Sequence, residues 1–244
     1  MTVLIPSAGF GKRFSDKGFV DPKPFVKIND KYIIEYALSS FKIKGKYYVI
    51  TSKLDQKYLS ILDDIYKKYD IDGETVNLDR PTSGATDTCL SIEDRIDPTK
   101  PLIVTLNDQY TPWNHEKFLR FAIDGDYDVV VTTYNHPNIV VGKQSPYSFI
   151  KVDSNRLATE FAEKIAISEH ALNGIHYWKT ADLFFTSAKK LMKSDINFNG
   201  EKYLSLTFRF LIEDNKKITY YKMDDNEFVS LGSPSEVENN RNKL

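Results

Sequence analysis

The sequence predicts an α/β protein with three α/β/α layers, a mostly parallel central sheet and an antiparallel part in its second half. Short apolar segments rich in β-branched residues alternate with segments of helical apolar spacing from residue 2 to about residue 133. Such alternation is typical of a parallel sheet that is covered by helices on both faces. From residue 148 to 178 the strand-like segments follow at shorter intervals, which indicates antiparallel pairing.

The first half of the chain contains five predicted strands and four predicted helices. The strands are short and apolar, and they lie at residues 2–6, 47–51, 75–78, 101–106 and 128–133. The helices show apolar residues three and four positions apart, and they lie at residues 31–41, 54–69, 85–96 and 114–123. The order of these elements predicts that consecutive strands are joined by helices that cross over the sheet.

The second half is less regular. Strands are predicted at residues 148–152, 158–161, 175–178 and 218–223, a helix at 181–193 and a polar tail at 236–244. Residues 203–212 fit two periods, because Leu204, Leu206, Phe208 and Phe210 alternate, whereas Tyr203, Thr207, Phe210 and Leu211 have helical spacing. We interpret this segment as a helix.

Size and charge limit the functional classes. The chain has 244 residues without an internal repeat or a linker-like tract, so a single domain over residues 1–244 is predicted. Lys and Arg number 33 against 34 Asp and Glu, which gives no strong field for a nucleic acid or a membrane surface. The one cysteine, Cys89, excludes an intramolecular disulfide, and no targeting or membrane-spanning segment is recognised. We therefore expect a cytoplasmic protein without nucleic-acid or membrane partners.

A glycine-containing loop follows the first predicted strand. Its glycines allow close approach to a ligand, and its successive N–H groups can cradle an anion. Positive charge is added by Lys12 and Arg13 and, beyond them, by Lys23, which lies between two prolines. The loop matches neither the P-loop nor the dinucleotide-binding pattern. The loop is interpreted as a polyphosphate site, the alternative being an ordinary turn with surface cations; its candidate residues are Ser7, Ala8, Gly9, Gly11, Lys12 and Arg13.

Asn107 and Asp108 follow the buried strand at residues 101–106. Open α/β sheets bind ligands at the carboxyl ends of their strands, so this is where a ligand is expected. A carboxylate there suits Mg²⁺, which combines one or two carboxylates with phosphate oxygens and water. The alternative for Asp108 is a strand-end turn or a helix cap.

Together these motifs resemble a known family. The pattern G-x-G-x-R-F followed by P-K-P is similar to the nucleotidyltransferases that activate sugar 1-phosphates, with glucose-1-phosphate thymidylyltransferase as their type. Further segments resemble that family in the same order along nearly the whole chain, namely SGATDTCL (83–90), LNDQY (106–110), EK (163–164), NGIHYW (173–178) and FVSLGSP (228–234). The most similar subgroup is encoded among proteins of capsule and surface-glycan biosynthesis.

The resemblance implies a nucleotide-diphospho-sugar transferase-like fold and a defined reaction. Such enzymes join a nucleoside triphosphate to a sugar 1-phosphate, or a related phosphate, and give a nucleotide sugar and pyrophosphate with Mg²⁺ as cofactor. The nucleotide-binding half is expected at about residues 1–133 and the sugar-phosphate half at about 134–235. Neither the base nor the sugar follows from the sequence, and a homo-oligomer is left open.

The resemblance also assigns roles to residues. The catalytic residues are expected to be Arg13, Lys23 and Asp108, with Asp108 as metal ligand. Nucleotide binding is expected from Ser7, Ala8, Gly9, Gly11, Lys12, Pro81, Gly84 and Ala85. Substrate binding is expected from Asn107, Glu163, Lys164, Asn173 and Gly174.

One departure concerns the metal. The thymidylyltransferase type carries an aspartate two residues before the terminal glycine, and this chain has Ser230 there. Asp224, Asp225, Glu227 or a water molecule are the substitutes that the sequence offers.

Two other functional classes remain open at this stage. A GT-A type glycosyltransferase would share the strand order, but such enzymes usually carry a D-x-D motif, whereas this chain has Asn107-Asp108-Gln109. A catalytically silent subunit that binds a nucleotide or a sugar phosphate is the third interpretation, which the departure at Ser230 keeps open.

Overall fold

The computed structural model describes residues 1–9, 11–136 and 138–244. The strands in these residues are β1 (Thr2–Pro6), β2 (Lys27–Ile28), β3 (Lys31–Tyr32), β4 (Lys46–Ser52), β5 (Gly73–Leu78), β6 (Leu102–Val104), β7 (Gln109–Tyr110), β8 (Val129–Tyr134), β9 (Gln144–Val152), β10 (Ala158–Ile165), β11 (Ala171–Trp178), β12 (Ile218–Lys222) and β13 (Val229–Ser230). The helices are α1 (Lys12–Ser15), α2 (Ile33–Phe41), α3 (Gln56–Lys68), α4 (Ala85–Leu90), α5 (His115–Asp124), α6 (Ala181–Lys193), α7 (Phe208–Glu213) and α8 (Pro234–Asn240).

Nine of these strands form one mixed sheet in the order β5–β4–β1–β6–β11–β8–β12, with the β9–β10 hairpin joined to β11. Parallel pairing connects β5, β4, β1 and β6, and it also connects β8 to β12. The strand β11 is antiparallel to both β6 and β8. The predicted combination of a mostly parallel sheet and an antiparallel part in the second half is therefore confirmed.

Helices cover both faces of the sheet. On one face Leu38 of α2, Leu62 of α3 and Phe118 of α5 pack with Val3 and Ile103 of the central strands. On the other face the neighbouring residues Leu4 and Val104 pack with α4, α6 and α7, and Cys89 of α4 is buried there. Because successive residues of a strand point to opposite faces, the continuous apolar runs in β1 and β6 supply both cores at once.

Residues 203–212 are helical, as predicted. A 3₁₀ turn over Leu204–Thr207 leads directly into α7. Leu204, Phe208 and Leu211 are buried, which is helical spacing, whereas Leu206 and Phe210 stay half-buried. The Phe208 ring packs against Trp178 at 5.7 Å between centroids, so this segment closes the second core.

In two places another element replaces part of a predicted helix. Lys31 and Tyr32 pair with β2 as a short strand, and the helix begins only at Ile33. The helix predicted over residues 85–96 ends at Leu90 and is followed by a 3₁₀ turn at Glu93–Arg95.

The polar tail predicted for residues 236–244 was wrong, because α8 and a 3₁₀ turn at Arg241–Lys243 occupy it. Ser233 caps α8 by accepting a hydrogen bond from the Glu236 N–H at 3.3 Å, and Pro234 occupies the first turn. Only Val237 of this helix is buried, so its apolar pattern is too weak to be recognised in the sequence. No helix among the described residues is long and apolar enough to cross a membrane.

Candidate active site

A cavity of about 820 Å³ lies beyond the carboxyl ends of β1 and β6. The glycine loop and Lys23 border it on one side, and β9, β10 and β11 border it on another. The segment from Ser230 to Glu236 completes the wall. The cavity therefore collects several segments that are far apart in the chain, and its position is the one expected for ligands of open α/β sheets.

An ion pair between the Lys23 ammonium and the Asp108 carboxylate lies in this cavity. Both side chains are largely buried, with 15% and 17% of their surface exposed. Asp108 is fixed through its backbone, because its carbonyl accepts a hydrogen bond of 2.8 Å from the Leu231 N–H. Lys23 begins a 3₁₀ turn that buries Pro24 and Phe25. A buried charge needs a partner, so each ion holds the other in place.

The glycine loop comes close to Lys23. Gly11 has a φ of 59°, and a Cβ atom on it would lie 3.0 Å from the Lys23 Cβ. This explains why a glycine stands at this turn, since another residue would be both strained and crowded. Arg13 follows in α1; it is exposed, lines the cavity and makes no ion pair with a described carboxylate. Its guanidinium is therefore available to a ligand.

The predicted nucleotide-binding residues divide between two neighbouring cavities. Ala8, Gly9, Gly84 and Ala85 line the large cavity. Ser7 and Pro81 instead line a smaller cavity of about 350 Å³, which Ala8 and Gly9 also border. The exposed residue Lys12 lies outside both linings, as does Gly11.

The segment before α4 is held by the loop around Lys202, a contact that the sequence did not predict. Gly84 has a φ of 133°, and a Cβ on it would lie 2.8 Å from the Lys202 carbonyl oxygen. The Lys202 N–H donates to the Ser83 carbonyl at 2.8 Å, and the Thr86 N–H donates to the Lys202 carbonyl at 3.2 Å. Glycine thus permits close backbone contact between the two loops, and the second loop brings Tyr203 and Ser205 into the cavity wall.

Glu163 and Lys164 lie together in the part of the cavity wall that β10 contributes. The buried Glu163 carboxylate accepts hydrogen bonds from the hydroxyls of Ser148 and Ser205. The Lys164 ammonium lies 3.2 Å from Glu163 and donates to the Pro146 carbonyl at 2.5 Å. Lys164 has a φ of 61° and lies where the β9–β10 register shifts. Such irregularities turn a side chain away from the regular alternation of a strand, here toward the cavity.

The other predicted substrate-binding residues, Asn107, Asn173 and Gly174, lie close to other residues of the protein. Asn173 is buried, accepts a hydrogen bond from the Thr132 hydroxyl and donates to the sulfur of Met223. Gly174 has a φ of 87°, and a Cβ on it would lie 2.4 Å from the side chain of Leu106. Both still line the cavity, whereas Asn107 does not and donates to the Ser7 hydroxyl at 2.6 Å.

The histidine in the cavity wall is not a cation. Burial lowers the pKa of His176 to about 3, so its ring is neutral at physiological pH. The positive charge along the described part of the wall therefore comes from Arg13, Lys23 and Lys164.

A second carboxylate approaches Asp108 from α8. A Cβ on Gly232 would lie 3.2 Å from Oδ2 of Asp108, 3.3 Å from Oε2 of Glu236 and 3.6 Å from Oγ of Ser230. These oxygens suit a hard divalent cation such as Mg²⁺. No group of three or more histidine, cysteine or acidic side chains in the described ranges is placed to hold a metal by itself. A cation here would therefore need phosphate oxygens as further ligands.

The acidic residues that the sequence offered as substitutes lie elsewhere. Asp225 accepts a hydrogen bond from Asn135 at 2.9 Å. Glu227 accepts from the backbone N–H groups of Asn114 at 3.1 Å and Asp224 at 2.9 Å. None of the three acids, Asp224, Asp225 and Glu227, lines the cavity.

Solved structures similar to this chain share its fold at low sequence identity. A nucleoside-diphosphate-sugar pyrophosphorylase from Vibrio cholerae RC9 has a TM-score of 0.81 and 16% identity, over 97% of this chain and 98% of that one. An inositol-1-phosphate CTP transferase from T. maritima has a TM-score of 0.75 and 12% identity, over 99% and 95%. A UDP-glucose pyrophosphorylase solved with UDP-glucose has a TM-score of 0.75 and 18% identity, over 99% and 97%.

No curated protein sequence matches the chain. The family model for nucleotidyl transferases, in contrast, matches residues 2–238, which is almost the whole chain and includes every segment that borders the cavity. The chain therefore belongs to the nucleotidyl transferase family.

Proposed function

We propose that this protein joins a nucleoside triphosphate to a sugar 1-phosphate, or a related phosphate, and releases pyrophosphate. The observation that carries the proposal is one cavity whose cations come from two different parts of the chain. Arg13 and the Lys23–Asp108 pair are contributed by the first half of the chain, and the Glu163–Lys164 pair is contributed by the second. Two phosphorylated ligands can therefore lie in the same cavity with their charged groups facing different cations.

The reaction needs positioning and charge neutralisation more than covalent chemistry from the protein. A phosphate oxygen of the acceptor forms a bond to the α-phosphorus, and the bond from that phosphorus to the bridging oxygen of the β-phosphate breaks. Several negative charges approach one another in this step. Fixed cations stabilise that charge without reorganisation, and holding both reactants in place removes the entropic cost of their encounter.

Arg13 and Lys23 are proposed to neutralise the triphosphate. Arg13 offers a planar fork for phosphate oxygens, and Lys23 offers a compact charge. Mg²⁺, the predicted cofactor, would neutralise further phosphate charge when bound, with Asp108 as its ligand. Because Lys23 already pairs with Asp108, its ammonium moves only a short way to reach a phosphate that is held beside this carboxylate.

Lys164 is proposed to hold the phosphate of the acceptor. Two hydroxyls already compensate the Glu163 carboxylate, so the adjacent ammonium keeps charge for an incoming anion. Since Glu163 and the Pro146 carbonyl fix the direction of Lys164, its contribution is one of orientation as well as of charge.

The family match favours nucleotidyl transfer over the glycosyltransferase interpretation. Among the similar structures is an enzyme named for inositol 1-phosphate, which supports keeping alcohol phosphates among the candidate acceptors. The cytoplasmic location, the role in capsule or surface-glycan synthesis, self-association and the two functional halves stay predictions.

A matrix of nucleoside triphosphates against sugar and alcohol phosphates, read by pyrophosphate release, tests the proposal. We expect pyrophosphate only in wells that contain both substrates, together with an equal amount of a nucleoside diphosphate that is linked to the sugar or alcohol. Release of nucleoside diphosphate from nucleotide sugars would support the glycosyltransferase instead. Binding without turnover in every well would support the silent subunit.

Replacing Arg13 with alanine should lower kcat by about 100-fold or more, as for loss of a preorganised charge donor. Folding should be unaffected, because Arg13 is exposed. Lys17, an exposed cation of the same loop outside the cavity, provides the control, and Lys17→Ala should turn over like the wild type. Steady-state kinetics measure both, and normal kcat in Arg13→Ala would remove this residue from the mechanism.

Replacing Lys164 with alanine should raise KM for the acceptor phosphate by about tenfold or more, since a charged contact to the acceptor is lost. The affinity for the triphosphate should stay near normal. Lys151→Ala is the matched control, because Lys151 is exposed on the paired strand β9 and lies outside the cavity. Equal losses for both substrates would contradict the assignment of Lys164 to the acceptor phosphate.

A further inference from the structure

Glu236 is placed beside Asp108 although it comes from a different part of the fold. Asp108 lies in the loop between β6 and β7, and Glu236 lies in the first turn of α8. The β7–β13 pairing joins the two regions, with Gln109 opposite Ser230. The carboxylates approach the Gly232 Cβ position to 3.2 Å and 3.3 Å, so a side chain there would crowd both. The glycine thus keeps open a space that two acidic side chains border.

The Glu236 side chain does not complete a capping box at the start of α8. In a capping box, the carboxylate of the third helical residue accepts from the backbone N–H of the cap. Here the Glu236 carboxylate accepts instead from the Ser233 hydroxyl at 2.7 Å. It lines the cavity, and it pairs with no cation of the described chain. Its orientation therefore leaves carboxylate oxygen available to a ligand.

The local charge favours a cation. Asp108 and Glu236 bring two negative charges, and the Lys23 ammonium compensates only one of them. Ser230, the third oxygen around the Gly232 position, is neutral. Two nearby carboxylates that are only partly compensated attract a divalent ion, and Mg²⁺ is commonly held by one or two carboxylates and the phosphates of a substrate.

We infer that Glu236 is the second protein carboxylate for the divalent cation that accompanies the triphosphate, with Asp108 as the first. This inference rests on the proposed function and identifies the residue that offsets the neutral side chain at Ser230. It assigns Glu236 a role in holding the metal, directly or through a water molecule.

The experiment measures Mn²⁺ binding to the full-length protein in the presence of a non-hydrolysable nucleoside triphosphate. Mn²⁺ replaces Mg²⁺ because its free signal is read by electron paramagnetic resonance, and a titration of the nucleotide alone is subtracted. Glu236→Gln keeps the shape of the side chain and removes its charge. We expect this variant to weaken Mn²⁺ binding by about 10- to 100-fold.

Glu238→Gln is the matched control, since Glu238 is exposed on the same helix and lies outside the cavity. Its Mn²⁺ affinity should equal that of the wild type. Adding Ser230→Asp to the Glu236→Gln variant returns a carboxylate to the same space and should restore much of the lost affinity. Circular dichroism and thermal unfolding show whether each variant is folded.

Equal Mn²⁺ affinity in Glu236→Gln and Glu238→Gln would overturn the inference. A loss in Glu236→Gln that Ser230→Asp does not restore would also overturn it, because Glu236 would then act through the structure of α8. The result is independent of turnover. If the wild type releases no pyrophosphate from any substrate pair, the proposed reaction fails, whereas the Mn²⁺ titration still reports on Glu236.

Discussion

The ion pair between Lys23 and Asp108 joins the loops that follow the two central strands of the sheet. One loop leaves β1 and returns at Lys23, and the other leaves β6 and places Asp108. Because both charges are largely buried, each would carry an uncompensated desolvation cost without the other. The pair therefore sets the distance between the glycine loop and the loop that carries Asp108. This distance determines the shape of the proposed triphosphate site. In this pair the Lys23 ammonium occupies the Asp108 carboxylate, which is the proposed metal ligand. A triphosphate that attracts Lys23 would therefore also make Asp108 available to the metal.

Backbone contacts hold other parts of the cavity wall in a fixed position relative to this ion pair. The Leu231 N–H donates to the Asp108 carbonyl, and β13 pairs with β7 immediately beside it. This small two-stranded sheet carries the segment from Ser230 to Glu236 into the cavity. In the second half of the chain, irregular registers at Lys164 and Gly174 direct two strand positions toward the same space. Close approaches at Gly84 and Gly174, both with a positive φ, leave no room for a Cβ, whereas a Cβ at Gly232 would crowd the oxygens of Asp108 and Glu236.

Much of this arrangement could be predicted from the sequence, because it follows from local patterns. The apolar runs in β1 and β6 identify the central strands, and the polar residues after them identify the carboxyl edge of the sheet. The helical spacing of Leu204, Phe208 and Leu211 identifies the segment that closes the second core. In contrast, Glu236 was missed, since α8 buries a single apolar residue, Val237, and so shows no apolar period. The contact between Gly84 and Lys202 could not be predicted either, because no local pattern indicates which distant loop meets a turn.

The most direct test of the account replaces Lys23 with methionine and measures Mn²⁺ binding to the nucleotide-free protein. If the Lys23 ammonium competes with the metal for Asp108, its removal should tighten Mn²⁺ binding by about tenfold or more, the size of a unit-charge interaction near 3 Å in a watery environment. Lys17→Met removes the same charge from an exposed position of the same loop and should leave the affinity near that of the wild type. Equal affinities in Lys23→Met and Lys17→Met would contradict the account, because the ion pair would then not control access of a metal to Asp108.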